Sequence, residues 1–287
     1  MRLITAKLKK GEVLGIVNPE KTHMTEVNSL GFNFTDMLEL ISKITPDEMK
    51  RLSSVDFSSA KDVYPLSEIE FLSPIPRPLH DVICLGVNYA AHAEEFGVKA
   101  PDVPVYFGKR AAQTTGHLAT FDGHLEVDQY LDYEVELAVI IGKQAKKIKP
   151  EEVEDYIFGY SVFNDLTLRD VQKRHNQWFL GKSVDGFAAM GPWIVTKDEM
   201  PMPFSLNLCS RVNGELRQSS NTDLFVHRIE KVISEMSQCI TLYPGDIIAT
   251  GTPSGVGMGF KPPKTLKKGD VVEVEVENVG ILKNIVG

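Results

Sequence analysis

The sequence predicts an α+β fold in which β-structure predominates, with a small N-terminal domain ahead of a larger, sheet-built one. Three observations carry that prediction. Beyond residue 78 the chain is a succession of short apolar segments divided by glycine turns, with few helical stretches between them. Those segments lack the regular strand–helix alternation of a doubly wound parallel sheet. The segment DYEVELAVII, residues 132–141, becomes apolar on both faces beyond Glu136, as in a strand covered on both sides.

Taken in order, residues 1 to about 18 predict a hairpin that turns near Lys10-Gly11, with alternating apolar residues on either side. A short helix is expected from Thr35 to Lys43. A second begins at Thr45, where Thr45 and Glu48 fit a capping box and Pro46 the first helical position. Three prolines within Leu72–Pro78 suit an extended connector, which divides the chain into domains 1–70 and 71–287. An apolar strand, Val82 to Leu85, then runs into Gly86. After the strand at 132–141 come a short helix from near Pro150, a strand from Tyr160 to Asn164 and a helical stretch over 166–178. A longer helix is predicted from Asp223 to about Ser237, striped by Leu224, Phe225, Ile229, Val232, Ile233 and Met236. The chain closes in strands.

The chain has 287 residues, and 31 basic against 39 acidic residues leave a net charge of −8. No basic cluster exceeds a few residues, so neither nucleic acid nor an anionic membrane is an expected partner. Cys84, Cys209 and Cys239 are scattered without metal-ligand spacing and read as buried thiols. The N-terminus has no apolar core of signal-peptide length and no run approaches a membrane span, so a reducing, cytoplasmic setting is expected.

Side chains alternate along a strand, so Glu134 and Glu136 point the same way in a segment that should be buried. Unpaired anions there are costly, and such carboxylates pair with a cation or bind a metal. The chain supplies a contrast in Glu273, Glu275 and Glu277, which alternate on a face that stays polar and reads as solvated. Asp165 ends an apolar strand and alone reads as a helix N-cap. Joined to Glu134 and Glu136, it completes an all-oxygen site suited to Mg²⁺ or Mn²⁺, with Ca²⁺ also compatible, rather than to zinc.

His92 and Glu95 are three residues apart on a helix-prone stretch, within contact range. A carboxylate beside an imidazole orients it and raises its basicity, which suits activation of water. Spacing alone reads more readily as a casual pair on a solvated helix. Arg169 and Gln172 share a helical face with Asp165, at offsets of four and seven, where a substrate carboxylate would need donors. Arg169 reads equally as a counter-ion to Asp165 or Asp170. Lys182, among glycines and apolar residues, is harder to place on the surface. The small-residue loop ATGTPSGVG, 249–257, allows close backbone approach to a ligand but lacks phosphate-loop or dinucleotide spacing.

Taken together, GVNYAAHAEE, DYEVELAVIIGK, GYSVFNDLTLRD, FLGKSVDGFAAMGP, VNGELRQ, LYPGDIIATGTPSGVG and VEVENVGILKN resemble, in order, the fumarylacetoacetate hydrolase family over about residues 72–287. Residues 1–70 resemble the small accessory domain that many members carry. The resemblance implies that family's mixed β-sandwich roll, a homodimer, and metal ligands at Glu134, Glu136 and Asp165. It places the water-activating dyad on His92 and Glu95, in a segment that often behaves as a lid, and an oxyanion group on Lys182. Substrate contacts fall on Arg169, Gln172 and Thr250, with Lys109 a further one. Many members have Arg where this chain has Val87, and Lys-Pro where it has Lys109-Arg110. Both segments are expected to face the substrate.

The activity so implied is metal-dependent hydrolysis of a carbon–carbon bond in a 2,4-dioxo acid of the acylpyruvate type. Water activated by His92 would attack the 4-oxo carbon and a pyruvate enolate would depart. Decarboxylation of oxaloacetate or isomerisation of a hydroxymuconate-type diacid uses the same enolate chemistry, and a metal-binding module without catalysis is a rival from another class.

Overall fold

A mixed eleven-stranded sheet forms the spine of the computed structural model, which describes residues 1–287. The first hairpin pairs β1 (Arg2–Leu8) with β2 (Gly11–Val17), Leu8 opposite Gly11, and β3 (His23–Glu26) extends it. Helix α1 (Met37–Lys43) starts at Asp36, whose carboxylate accepts the Glu39 N–H at 2.8 Å. Helix α2 (Pro46–Ser53) opens on the reciprocal Thr45–Glu48 capping box. Strands β4 (Val63–Pro65) and β5 (Glu70–Phe71) complete the N-terminal region, and no helix or strand interrupts the proline-rich stretch after them.

Then follow β6 (Val82–Gly86), α3 (Ala90–Glu95), β7 (Val105–Lys109), β8 (Thr120–Phe121), β9 (Leu131–Asp132) and β10 (Val135–Ile141). The chain continues through α4 (Val153–Tyr156), β11 (Ile157–Asp165), β12 (Thr167–Leu168), α5 (Arg169–Arg174), α6 (Phe179–Lys182) and β13 (Ala188–Thr196). Last come β14 (Asn207–Val212), β15 (Glu215–Asn221), α7 (Ile229–Cys239), β16 (Ile247–Ala249), β17 (Val271–Val276) and β18 (Gly280–Val286).

The large sheet runs β4-β3-β2-β1-β13-β11-β10-β16-β6-β7, with β5 also on β1; β15-β14-β17-β18-β8 form a second sheet. The N-terminal strands therefore extend the same sheet that holds β10, through the pairing of Arg2 with Val195. β10 is an interior strand, between β11 and β16. Val135, Leu137, Val139 and Ile141 pack in one core with Val272, Val274, Val276 and Leu282 of the second sheet. Ala138 and Ile140, on the opposite face, share a core with Met37, Leu40 and Ile41 of α1. Each such side chain contributes roughly 1.5–3 kcal/mol when fully buried. Covering on both faces is what the sequence pattern required, whereas Glu273 and Glu275 of β17 are only half buried and pair with Lys283 and Arg211.

Several elements differ from expectation. The strand read at 132–141 is interrupted at Tyr133-Glu134, because the Asn164 and Gln218 side chains accept the N–H groups of Glu134 and Val135, each at 3.0 Å. The stretch 166–178 is not one helix: β12 precedes α5, and Asp165 closes a strand. The helical offsets from Asp165 to Arg169 and Gln172 therefore do not apply. α7 starts at Ile229 rather than Asp223, since Val226 and His227 are tied by their N–H groups to Asn88 at 2.9 and 2.8 Å. Leu224 is accordingly exposed. Cys84 is buried as expected, but Cys239 is exposed. No helix is long and apolar enough to cross a membrane.

Candidate metal centre and active site

Glu134, Glu136 and Asp165 meet beside β10, each presenting one oxygen within 4.8 Å of the others. Glu136 is supplied by β10, Glu134 by the break before it, and Asp165 by the last residue of the neighbouring β11. All three are buried. Their counter-ions differ. Glu134 accepts from Lys182 Nζ at 2.6 Å and pairs with Arg169 Nη1 at 2.8 Å. Asp165 accepts from Lys109 Nζ at 2.6 Å through Oδ1 and from Lys182 Nζ at 2.7 Å through Oδ2. Glu136 accepts only the Gly251 N–H, at 2.8 Å.

These contacts set the electrostatics. Burial, then the charges of Asp165 and Glu134, push the Glu136 carboxyl well above the usual carboxylate range. Burial also opposes ionisation of Glu134, but Lys182 and Arg169 outweigh it and hold that carboxyl below its ordinary value. Burial opposes the charge on Lys182, yet Asp165 and Glu134 keep its pKa above the lysine range. For Lys109 burial wins and lowers it, against the attraction of Asp165. Three buried carboxyl groups, one of them with no cation partner, fit a hard divalent cation.

The cluster opens into a cavity of about 240 Å³. Its lining combines polar residues, Glu134, Glu136, Arg169, Gln172, Lys182 and Thr252, with the apolar Val87, Phe96, Val98, Phe107 and Trp178. His92 also lines the cavity, and its Nδ1 lies 3.1 Å from Glu95 Oε2. With Nδ1 held by Glu95, Nε2 is the free nitrogen. Glu95 is itself anchored, since its Oε1 accepts the Gly255 N–H at 2.9 Å. Gly259 is required beside it, because a Cβ there would overlap Glu95 Oε1. The small-residue loop thus donates to two site carboxylates: Gly251 to Glu136 and Gly255 to Glu95.

Of the expected substrate contacts, Arg169 and Gln172 reach the cavity and bond to one another at 3.2 Å. Arg169 keeps a buried Nη2 with no partner. Thr250 and Lys109 do not line the cavity. The Thr250 hydroxyl donates to the Leu137 carbonyl at 2.8 Å within the sheet, and Thr252, two residues on, takes the wall position. Lys109 lies behind Asp165, also donating to the Leu166 carbonyl at 2.9 Å. Sequence reasoning missed Asp132, which accepts from Arg169 Nε at 2.9 Å and from the Gly257 and Met258 N–H groups at 2.6 and 3.0 Å. Its only signal was a charge at the head of a buried strand.

It also missed Val87 as strained. This β-branched residue has φ of +54°, in the left-handed region that costs such residues most. Asn88 holds it there: its Oδ1 accepts from His227 N at 2.8 Å and its Nδ2 donates to the Thr250 carbonyl at 2.9 Å. Backbone strain fixed by neighbours at a cavity wall is typical of functional sites.

The family model described as fumarylacetoacetate (FAA) hydrolase C-terminal matches residues 81–287. The chain belongs to the fumarylacetoacetate hydrolase family. Among its relatives is the oxaloacetate tautomerase YisK of Bacillus subtilis (strain 168), 47% identical over 227 residues, covering 78% of this chain and 75% of that one. The structure of a fumarylacetoacetate hydrolase from psychrophilic Exiguobacterium antarcticum has a TM-score of 0.86 at 37% identity, covering 100% of this chain and 99% of that one. A 5-carboxymethyl-2-hydroxymuconate delta-isomerase from Mycobacterium smegmatis has a TM-score of 0.76 at 32% identity, covering 100% and 98%. The family-model match starts at residue 81, yet these structural likenesses extend through the N-terminal strands.

Proposed function

We propose that this family member is a divalent-cation-dependent enzyme that interconverts the keto and enol forms of a small 2-oxo diacid of the oxaloacetate type. The observation that carries this reading is the placement of His92, oriented by Glu95, on the same cavity as Glu134 and Glu136, the two members of the carboxylate cluster that reach it. The tautomerase relative names the same chemistry. Glu134, Glu136 and Asp165 would hold Mg²⁺ or Mn²⁺, which supplies Lewis-acid polarisation of the 2-oxo group.

The chain's own residues do the rest. Arg169, with Nη2 free, and Gln172 bind and orient the substrate carboxylate. His92 Nε2 takes or returns the proton at the carbon next to the 2-oxo group, and Glu95 stabilises the imidazolium that forms. Lys182 offers positive charge to the developing enolate oxygen. Apolar residues of the cavity lining exclude water from that proton transfer.

That apolar lining favours a second reading, hydrolytic cleavage of an acylpyruvate. Val87, Phe96 and Phe107 would seat an acyl substituent that oxaloacetate does not have, and His92 would activate water instead. Decarboxylation and hydroxymuconate-type isomerisation need no other residues. The deciding experiment follows enol absorbance for oxaloacetate, and product release for acylpyruvates and 2,4-dioxo sugar acids, with Mn²⁺ or Mg²⁺. Faster enol decay without pyruvate release is the expected result, and it should vanish in His92→Ala. Cleavage products from an acylpyruvate with no effect on oxaloacetate would replace the first reading by the second.

In solution we propose a homodimer, and residues 1–70 as an accessory unit to the catalytic region 71–287. A monomer in sedimentation would remove the first of these.

A further inference from the structure

Both carboxylate oxygens of Glu134 are engaged by fixed cations, Oε1 by Arg169 and Oε2 by Lys182. Both oxygens of Asp165 are engaged likewise, Oδ1 by Lys109 and Oδ2 by Lys182. Lys182 is therefore the one cation that bridges two of the three candidate ligands. Its side chain is 2% exposed, so it has no water to turn to when those oxygens are claimed by another ion. Glu136, by contrast, has no cation partner.

We propose that Lys182 is a built-in competitor of the divalent cation: its ammonium neutralises Glu134 and Asp165 in the metal-free chain, and so holds the site's metal affinity down. The inference rests on the reading of Glu134, Glu136 and Asp165 as metal ligands and adds a role for Lys182 beyond contact with substrate. Two effects act in the same direction. Without a cation, Lys182 pairs the second oxygen of each of these buried carboxylates, which Arg169 and Lys109 hold through one oxygen only. With a cation bound, its positive charge lies close to another in a medium that screens poorly. Each widens the free-energy gap that a metal ion must overcome.

Position in the sequence supports this assignment to Lys182 rather than to the site as a whole. Lys182 ends α6, a single helical turn that follows the exposed residues 173–177, and its ammonium makes no hydrogen bond other than those to Glu134 and Asp165. Lys109 is anchored in β7 and spends a second hydrogen bond on the Leu166 carbonyl. Arg169 is held at Nε by Asp132. Neither of those spans two of the candidate ligands as the Lys182 ammonium does.

The test is calorimetric titration with Mn²⁺ alone, on the full chain stripped with EDTA. Lys182→Met and Lys182→Gln should each bind Mn²⁺ at least tenfold tighter than wild type while losing turnover, and Lys182→Arg should bind no tighter. In EDTA both neutral variants should melt below wild type, and Mn²⁺ should raise their Tm by more than it raises wild type's. Wild-type or weaker Mn²⁺ affinity in both neutral variants overturns the inference while leaving the metal site standing. Failure of the wild type to take up Mn²⁺ at all overturns the metal reading and this inference with it.

Discussion

Three carboxylates that serve one ion should respond in opposite ways to neutralisation when that ion is absent. Asp165→Asn removes the shared partner of Lys109 and Lys182, whose side chains are 0% and 2% exposed. Breaking buried pairs of this kind costs about 3–5 kcal/mol. For a chain of this size each kcal/mol shifts Tm by about 2–4 °C, so a fall on the order of 10 °C is expected. Glu136→Gln removes instead a carboxyl that has no cation partner and whose ionisation burial, Asp165 and Glu134 all oppose. Glutamine keeps the acceptor for the Gly251 N–H through its own Oε1. No ion pair is broken and a carboxyl that Asp165 and Glu134 disfavour as an anion is neutralised, so Tm should hold or rise. Scanning calorimetry in EDTA reads both. Added Mn²⁺ should stabilise wild type and fail to stabilise either variant. If Glu136→Gln lowered the metal-free Tm as far as Asp165→Asn does, the charge accounting for this site would be wrong.

Two further outcomes follow from the structure. Gly259→Ala places a methyl group against the Glu95 carboxylate and should displace it from His92, lowering kcat by about 10- to 100-fold, as loss of an orienting partner does. Mn²⁺ affinity should be unchanged, and the ¹⁵N shifts of His92 should match those of Glu95→Gln; a near-normal kcat would refute the positioning role. His117, whose pKa burial and then Lys283 lower to about 4, accepts the Lys283 N–H at 3.1 Å through Nδ1. Its neutral form is favoured by folding, so its contribution is fully present above the unfolded value near 6.5 and is lost as pH falls toward 4. The loss should reach about 2–3 kcal/mol, and denaturant midpoints of His117→Gln should fall less over that range than those of wild type.

Much of this was legible in the residues because local rules decided it. The Thr45–Glu48 box starts α2 wherever the helix packs, since both of its hydrogen bonds lie within one turn. Alternation placed Glu134 and Glu136 on one side of a segment whose faces both turn apolar, and the fold buries both faces. Asp165 ends a strand as expected, but the helical offsets from it to Arg169 and Gln172 fail, because β12 intervenes before α5. Thr250 was expected at the cavity, but just past the end of β16 its hydroxyl is taken by the Leu137 carbonyl, a partner 113 positions away that no local pattern shows.

The sequence by itself determined the chemistry available: an all-oxygen donor set, a His–Glu pair three residues apart, and a core strand to carry two of the acids. Those depend on residue type and short spacing. Only tertiary structure decided which carboxylate is left without a counter-ion. Lys109 and Lys182 reach Asp165 across 56 and 17 positions of chain, and Lys182 reaches Glu134 across 48. Long-range pairing of that kind follows from how the sheet, the glycine loop and α6 converge, which no local pattern encodes.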